Sequence, residues 1–186
     1  MCSPDRFHRA WLVIAFAVPI VWAQSPQYGL GHTPSSAEIK AWDFAISPDG
    51  KELPPGSGSA AEGAKIYAAQ CASCHGKTGR EGPNDVLVGG QGTLNTSKPV
   101  KTIGSYWPRA TTVWDYINRS MPFNKPGSLS ADEVYSLTAY LLWMNEIIRE
   151  DEVMNAKSLP LVKMPNRDGF IPDSRPDWKN SPQAAR

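Results

Sequence analysis

An all-α fold is predicted for this 186-residue chain by three observations. Ser59-Ala-Ala-Glu62 and Ser130-Ala-Asp-Glu133 are capping boxes. In each, the serine at the N-cap takes the N3 amide and the N3 glutamate reaches back to the cap. After the second box, Val134, Leu137, Leu141, Met144 and Ile148 recur at three- and four-residue steps, the apolar stripe of a helix buried on one side. Between the boxes, Cys71-Ala72-Ser73-Cys74-His75 follows the first helix, where one further helical turn gathers two thiols and an imidazole.

Residues 1–23 read as a signal peptide. Arg6 and Arg9 supply a positive start, Ala10 to Trp22 is uncharged and mostly apolar, and Val21 and Ala23 precede a cut before Gln24. The apolar run is shorter than the ~20 residues a membrane span needs, so no span is expected after cleavage, and secretion to the periplasm is. Cleavage removes two arginines, one aspartate and Cys2, leaving a formal net charge of 0. That balance, without a basic stripe, excludes a nucleic-acid binder. The two remaining cysteines both lie in the motif, so no disulfide framework is expected.

Residues 24–58 form an N-terminal arm and linker, with five prolines and the ending Leu53-Pro-Pro-Gly-Ser-Gly58. Ser36 is the expected cap of one short helix there, and Trp42 and Phe44 suggest an apolar edge. The main domain spans residues 59–150. Its first helix runs toward Gln70 with Ile66 and Tyr67 on the buried side, and Gly63 lies on the face of Tyr67.

The spacing at Cys71, Cys74 and His75 points to covalent haem c. Two thiols one turn apart reach the two vinyl groups of a porphyrin as thioethers, and the adjacent imidazole reaches the iron. The free ring nitrogen then needs an acceptor, sought at Pro83 or the backbone near Leu87. Two other readings compete. A thioredoxin-like redox pair requires a βαβ setting that the sequence lacks. A zinc site would have to use Cys71, Cys74, His75 and His32, and the neighbours Cys74 and His75 suit a tetrahedron poorly.

A capping box, an amphipathic helix and Cys-x-x-Cys-His together resemble the N-terminal helix of the class I cytochromes c. The resemblance implies a cytochrome c fold around one covalently bound haem. It also implies a methionine ligand in a loop before the last helix, often followed by proline. Ser120-Met121-Pro122 stands there, 46 residues beyond His75, and a thioether is a soft ligand that favours ferrous iron. Met144 on the helix stripe, Met154 and Met164 in the tail, and His32 in the arm are the competing ligands. The glycine-rich run from Gly76 to Ser105 suits backbone passing close to a ring. Tyr106 and Trp107 are candidate donors to haem propionates or plain core. Thr111 to Arg119 reads as a helix with Trp114 in the pocket wall. The last helix is expected to end near Ile147, because the acidic residues after it oppose the helix dipole. Its Tyr140 should meet the first helix at Gly63.

Residues 151–186 form a Pro-rich C-terminal tail. More of the chain is similar to the cytochrome subunits of Sox-type sulfur (sulfane) dehydrogenases and periplasmic sulfite dehydrogenases. The similarity rests on Tyr28-Gly-Leu-Gly31 with Trp42, Gly89-Gly-Gln-Gly-Thr-Leu94 and Val100-Lys-Thr-Ile-Gly-Ser-Tyr-Trp-Pro108. Thr111-Thr-Val-Trp-Asp-Tyr-Ile-Asn-Arg-Ser-Met-Pro-Phe123 and Met164 to Ile171 extend it. The departure is that some members have two haem domains, whereas this chain has one motif. The resemblance implies an electron acceptor for a separate molybdenum-cofactor dehydrogenase subunit, passing electrons to a downstream cytochrome or oxidase. No catalytic residue is assigned, and the chain is not expected to turn over a sulfur substrate alone. The alternatives are a general electron shuttle and a catalytic thiosulfate-oxidising haem protein.

Overall fold

A computed structural model describes residues 28–171. The expected signal peptide, residues 1–23, and the end of the tail lie outside the described residues. The elements are α1 (Ser36–Trp42), β1 (Ser57–Ser59), α2 (Ala60–Gln70), α3 (Ala72–His75), α4 (Ala110–Ser120), α5 (Ala131–Met144) and β2 (Val153–Asn155), followed by a 3-10 turn at Leu159–Leu161. The helices carry the fold, and β1 and β2 add a short antiparallel ribbon in which Gly58 faces Met154.

Both predicted capping boxes form, with Glu62 N donating to Ser59 Oγ at 3.3 Å and Glu133 N to Ser130 Oγ at 3.4 Å. A third box opens α1, where the cap is Ser35 rather than Ser36. Ser35 is extended and so presents its hydroxyl to the Glu38 amide, which Ser36, already helical, does not.

The central packing event is the crossing of α2 over α5. Gly63 lies directly on the α5 backbone: a Cβ there would sit 2.0 Å from the Ser136 carbonyl oxygen and 2.7 Å from the Tyr140 Cβ. Gly58, just ahead of α2, lies as close to the Ser136 amide, at 2.2 Å. Beside the crossing the rings of Tyr67 and Tyr140 meet at 5.2 Å, as expected. Ile66 is only half-buried, so Tyr67 carries the buried face of α2. Each large apolar side chain removed from water here contributes about 1.5–3 kcal/mol, and Trp114, Tyr135, Leu137 and Leu142 are nearly or fully buried.

Helix α5 ends at Met144, three residues before the position the sequence suggested. The terminator is Asn145, whose Nδ2 donates back to the Leu141 carbonyl at 2.8 Å, followed by Glu146 with φ of +59°.

The segments on either side of the helices join the same core. Asp115, buried on α4, accepts from the Ile46 amide at 3.1 Å and pairs with Arg119. Tyr135 donates to the Pro54 carbonyl at 2.9 Å, and Leu53 is buried. Beyond α5, Met154, Leu159 and Met164 are buried, and Asn166 donates to the Tyr106 carbonyl at 2.7 Å. By contrast α1 buries none of its residues, and Trp42 is 80% exposed.

Gly63→Ala tests the crossing. The methyl group gains about 1 kcal/mol of helix propensity but enters the α5 backbone, an overpacking that costs typically about 1–3 kcal/mol. Chemical denaturation should therefore show a lower midpoint with an unchanged slope. A midpoint that rose instead would mean that the helices can separate without cost.

Candidate cofactor site

Helix α2 delivers the Cys-x-x-Cys-His turn. Cys71 N donates to the Tyr67 carbonyl at 2.9 Å, and Cys74 N and His75 N both donate to the Cys71 carbonyl at 3.0 Å. Gly76, at φ of +79°, ends the turn. The Tyr67 hydroxyl donates to the Gly76 carbonyl at 2.9 Å. Burial raises the Tyr67 phenol well above its ordinary range, so it remains a neutral donor.

The following loop folds back over this turn. Asn84 N donates to the Cys74 carbonyl at 3.0 Å, and a Cβ on Gly82 would sit 2.2 Å from that same oxygen. Hydrogen bonds from the Thr78 hydroxyl and amide, with the Arg80 amide, hold the Glu81 carboxyl down at about 2. Its charge therefore pins the loop at all ordinary pH values.

His75 Nδ1 lies 2.9 Å from the Asp85 carbonyl oxygen. A carbonyl only accepts, so Nδ1 carries the proton and Nε2 keeps its lone pair for a metal. The acceptor is not Pro83 but the backbone near Leu87, the second of the expected places, at the carbonyl two residues before it. The single residue is set by the path of the loop, because any residue supplies a backbone carbonyl.

A cavity of about 1130 Å³ opens above this turn, slightly larger than the usual range of small-molecule sites. Cys71, Cys74 and His75 line it from α2 and α3, and Met121 lines it from the residue after α4. Ile103, Val113, Leu137 and Leu141 add apolar wall from the loop, α4 and α5. Trp107 also lines the cavity, edge-on to Tyr116 at 5.6 Å. Tyr106 packs against Phe170 at 5.3 Å, away from the cavity lining, and Trp114 is buried against Tyr135 behind it.

The four competing ligands lie elsewhere. His32 Nε2 is 3.2 Å from Glu38 in the arm, Met144 is half-buried outside the lining, and Met154 and Met164 are core. No group of three or more His, Cys, Asp or Glu side chains is placed to hold a metal ion among the described residues, so the zinc set does not assemble. Burial, with Cys74 beside it, raises the Cys71 thiol to about 11, the opposite of the depressed value a redox-active thiol requires. Two adjacent thiols, one imidazole with a fixed tautomer, one thioether and an apolar cavity are the groups that a covalently attached haem needs, and the site fits it.

The sequence profile described as "Cytochrome C oxidase, cbb3-type, subunit III" matches residues 58–141. The chain is 30% identical over 139 residues to a thiosulfate dehydrogenase of Stutzerimonas stutzeri (strain A1501), covering 62% of this chain and 43% of that protein. It is 28% identical over 122 residues to a thiosulfate dehydrogenase of Psychrobacter arcticus, covering 59% and 34%. The chain thus spans less than half the length of these curated relatives. A chain in the crystal structure of the sulfane dehydrogenase SoxCD from Paracoccus pantotrophus is 46% identical, with a TM-score of 0.71, covering 86% of this chain and 79% of that one. The helix arrangement, the cavity and this extent of identity show that the chain belongs to the Sox-type class I c-type cytochromes, which carry electrons on haem.

Proposed function

We propose that the chain is a periplasmic mono-haem cytochrome that accepts single electrons from a molybdenum-cofactor dehydrogenase acting on sulfite or sulfane sulfur. Haem c would be attached through Cys71 and Cys74, with His75 and Met121 as the axial ligands. The observation that carries this reading is the placement of His75 and Met121 on one cavity, with the imidazole tautomer fixed by Asp85. The 46% identity to a SoxCD chain supports the choice of partner. No helix among the described residues is long and apolar enough to cross a membrane.

The bound group supplies a reversible one-electron couple, and the residues of the chain set its conditions. His75, donating from Nδ1 to a carbonyl, becomes a more basic ligand. The Met121 thioether favours the reduced state. Leu137, Leu141, Ile103 and Val113 form the apolar wall that would keep water from a bound iron. Cys74 and Phe123 line the cavity and are exposed, so this rim is where a partner would approach most closely.

A second reading, direct oxidation of thiosulfate, draws on the thiosulfate dehydrogenase relatives. The two separate in one experiment on the holoprotein. A low-spin visible spectrum that is reduced by sulfite only when the dehydrogenase is added supports the acceptor reading. Reduction by thiosulfate alone, or a high-spin oxidised spectrum, supports the catalytic one.

Met121→Ala should abolish the weak sulfur-to-iron absorption at the red end of the oxidised spectrum, with the haem still attached. It should also lower the midpoint potential. A variant that kept the band would move the ligand to another methionine.

A further inference from the structure

Asn145 is 3% exposed, and each of its polar side-chain groups is used. Its Nδ2 donates to the Leu141 carbonyl at 2.8 Å and to the Leu87 carbonyl at 3.2 Å. Its Oδ1 accepts from the Gly89 amide at 3.0 Å, and its backbone carbonyl accepts from Gln91 Nε2 at 3.2 Å. One side chain therefore ties the end of α5 to the loop residues that follow Asp85. The cap of α5 needs only the Leu141 contact, so the two bonds to the loop call for a different explanation.

We propose that Asn145 is a positioning residue for the iron ligand, holding the Asp85 carbonyl at its height against His75 Nδ1 by anchoring Leu87 and Gly89. The chain of contacts is short. Asp85 lies two residues before Leu87, which also accepts from the Ile103 amide at 3.3 Å, while the Gly89 carbonyl accepts from the Thr102 hydroxyl. Ile103, Thr102, Leu87 and Leu141 all line the cavity, so the anchor and the wall are one construction. The fit around the amide is tight, because a Cβ on Gly104 would sit 2.3 Å from Asn145 Oδ1. A loop free to drift from His75 weakens the Nδ1 hydrogen bond. The imidazole becomes a poorer donor, the oxidised iron is less stabilised, and the potential rises.

This inference rests on the haem reading above, so the wild-type holoprotein is checked first for a low-spin spectrum with one imidazole ligand. Absence of that spectrum refutes the haem reading. Given the spectrum, two variants probe the anchor. Asn145→Ala removes both loop contacts, and Gly104→Ala displaces the amide while leaving it present, in case the first variant does not fold. Both should raise the midpoint potential and speed exchange of the His75 Nδ1 proton in the reduced state. A factor of about ten in exchange corresponds to about 1.4 kcal/mol of lost restraint. Leu159→Ala, a fully buried core truncation away from the cavity, should lower stability and leave both readouts unchanged. If the variants are merely less stable, with potential and exchange as in the wild type, Asn145 is a helix cap alone and the proposal fails. It fails equally if Leu159→Ala moves the potential as far.

Discussion

Gly63 and Ser136 bring the backbones of α2 and α5 into direct contact, and the cavity depends on that contact. Helix α2 continues into the turn carrying Cys71, Cys74 and His75, while α5 supplies Leu137 and Leu141 to the opposite wall. Holding the helices apart by one methyl group would move the ligands relative to the wall they face. Gly58 repeats the close approach just ahead of α2, and the β1–β2 ribbon fastens the same corner to the residues beyond α5. The site is thus positioned by a backbone-to-backbone crossing, which close packing makes stiff.

Features written in local spacing were legible in the sequence. Both capping boxes and the Cys-x-x-Cys-His turn depend on residues at fixed short offsets, whereas the meeting of Tyr67 with Tyr140 across Gly63 spans distant helices and was implied by the family resemblance. The one-sided stripe expected of α5 is not what forms: Tyr135, Ser136, Thr138, Ala139 and Leu142 are buried as well, because α2, α4 and the β1–β2 ribbon pack around the helix. Features set by long-range geometry were not legible. The Asp85 carbonyl has no side-chain signature, and the role of Asn145 depends on a loop more than fifty residues earlier in the chain. The β1–β2 pair is three residues long on each side, too short for a period-two pattern to register. The end of α5 differs from the expected position because charge against the helix dipole is a weak effect of about 0.3–1 kcal/mol. A side-chain cap on a carbonyl and a left-handed residue at Glu146 decided it instead.

The arm and the tail differ in how they relate to the core. From Ile46 to Pro54 the arm is tied to α4 and α5 through Asp115, Thr111 and Tyr135. The tail up to Met164 contributes buried side chains of its own. Both therefore belong to the packing that supports the pocket. Helix α1 does not: it has seven residues and no buried side chain, well under the ~12–15 residues at which an isolated helix becomes even marginal.

The central claim is that Met121, and no other methionine, faces His75 across the haem. Proton NMR of the reduced, diamagnetic holoprotein tests it most directly, because a methionine methyl bound over a porphyrin is shifted far upfield by the ring current. One such resonance is expected, lost in Met121→Ala and retained when Met144, Met154 or Met164 is replaced by leucine. A resonance that survived the change at Met121, or vanished with one of the others, would contradict it.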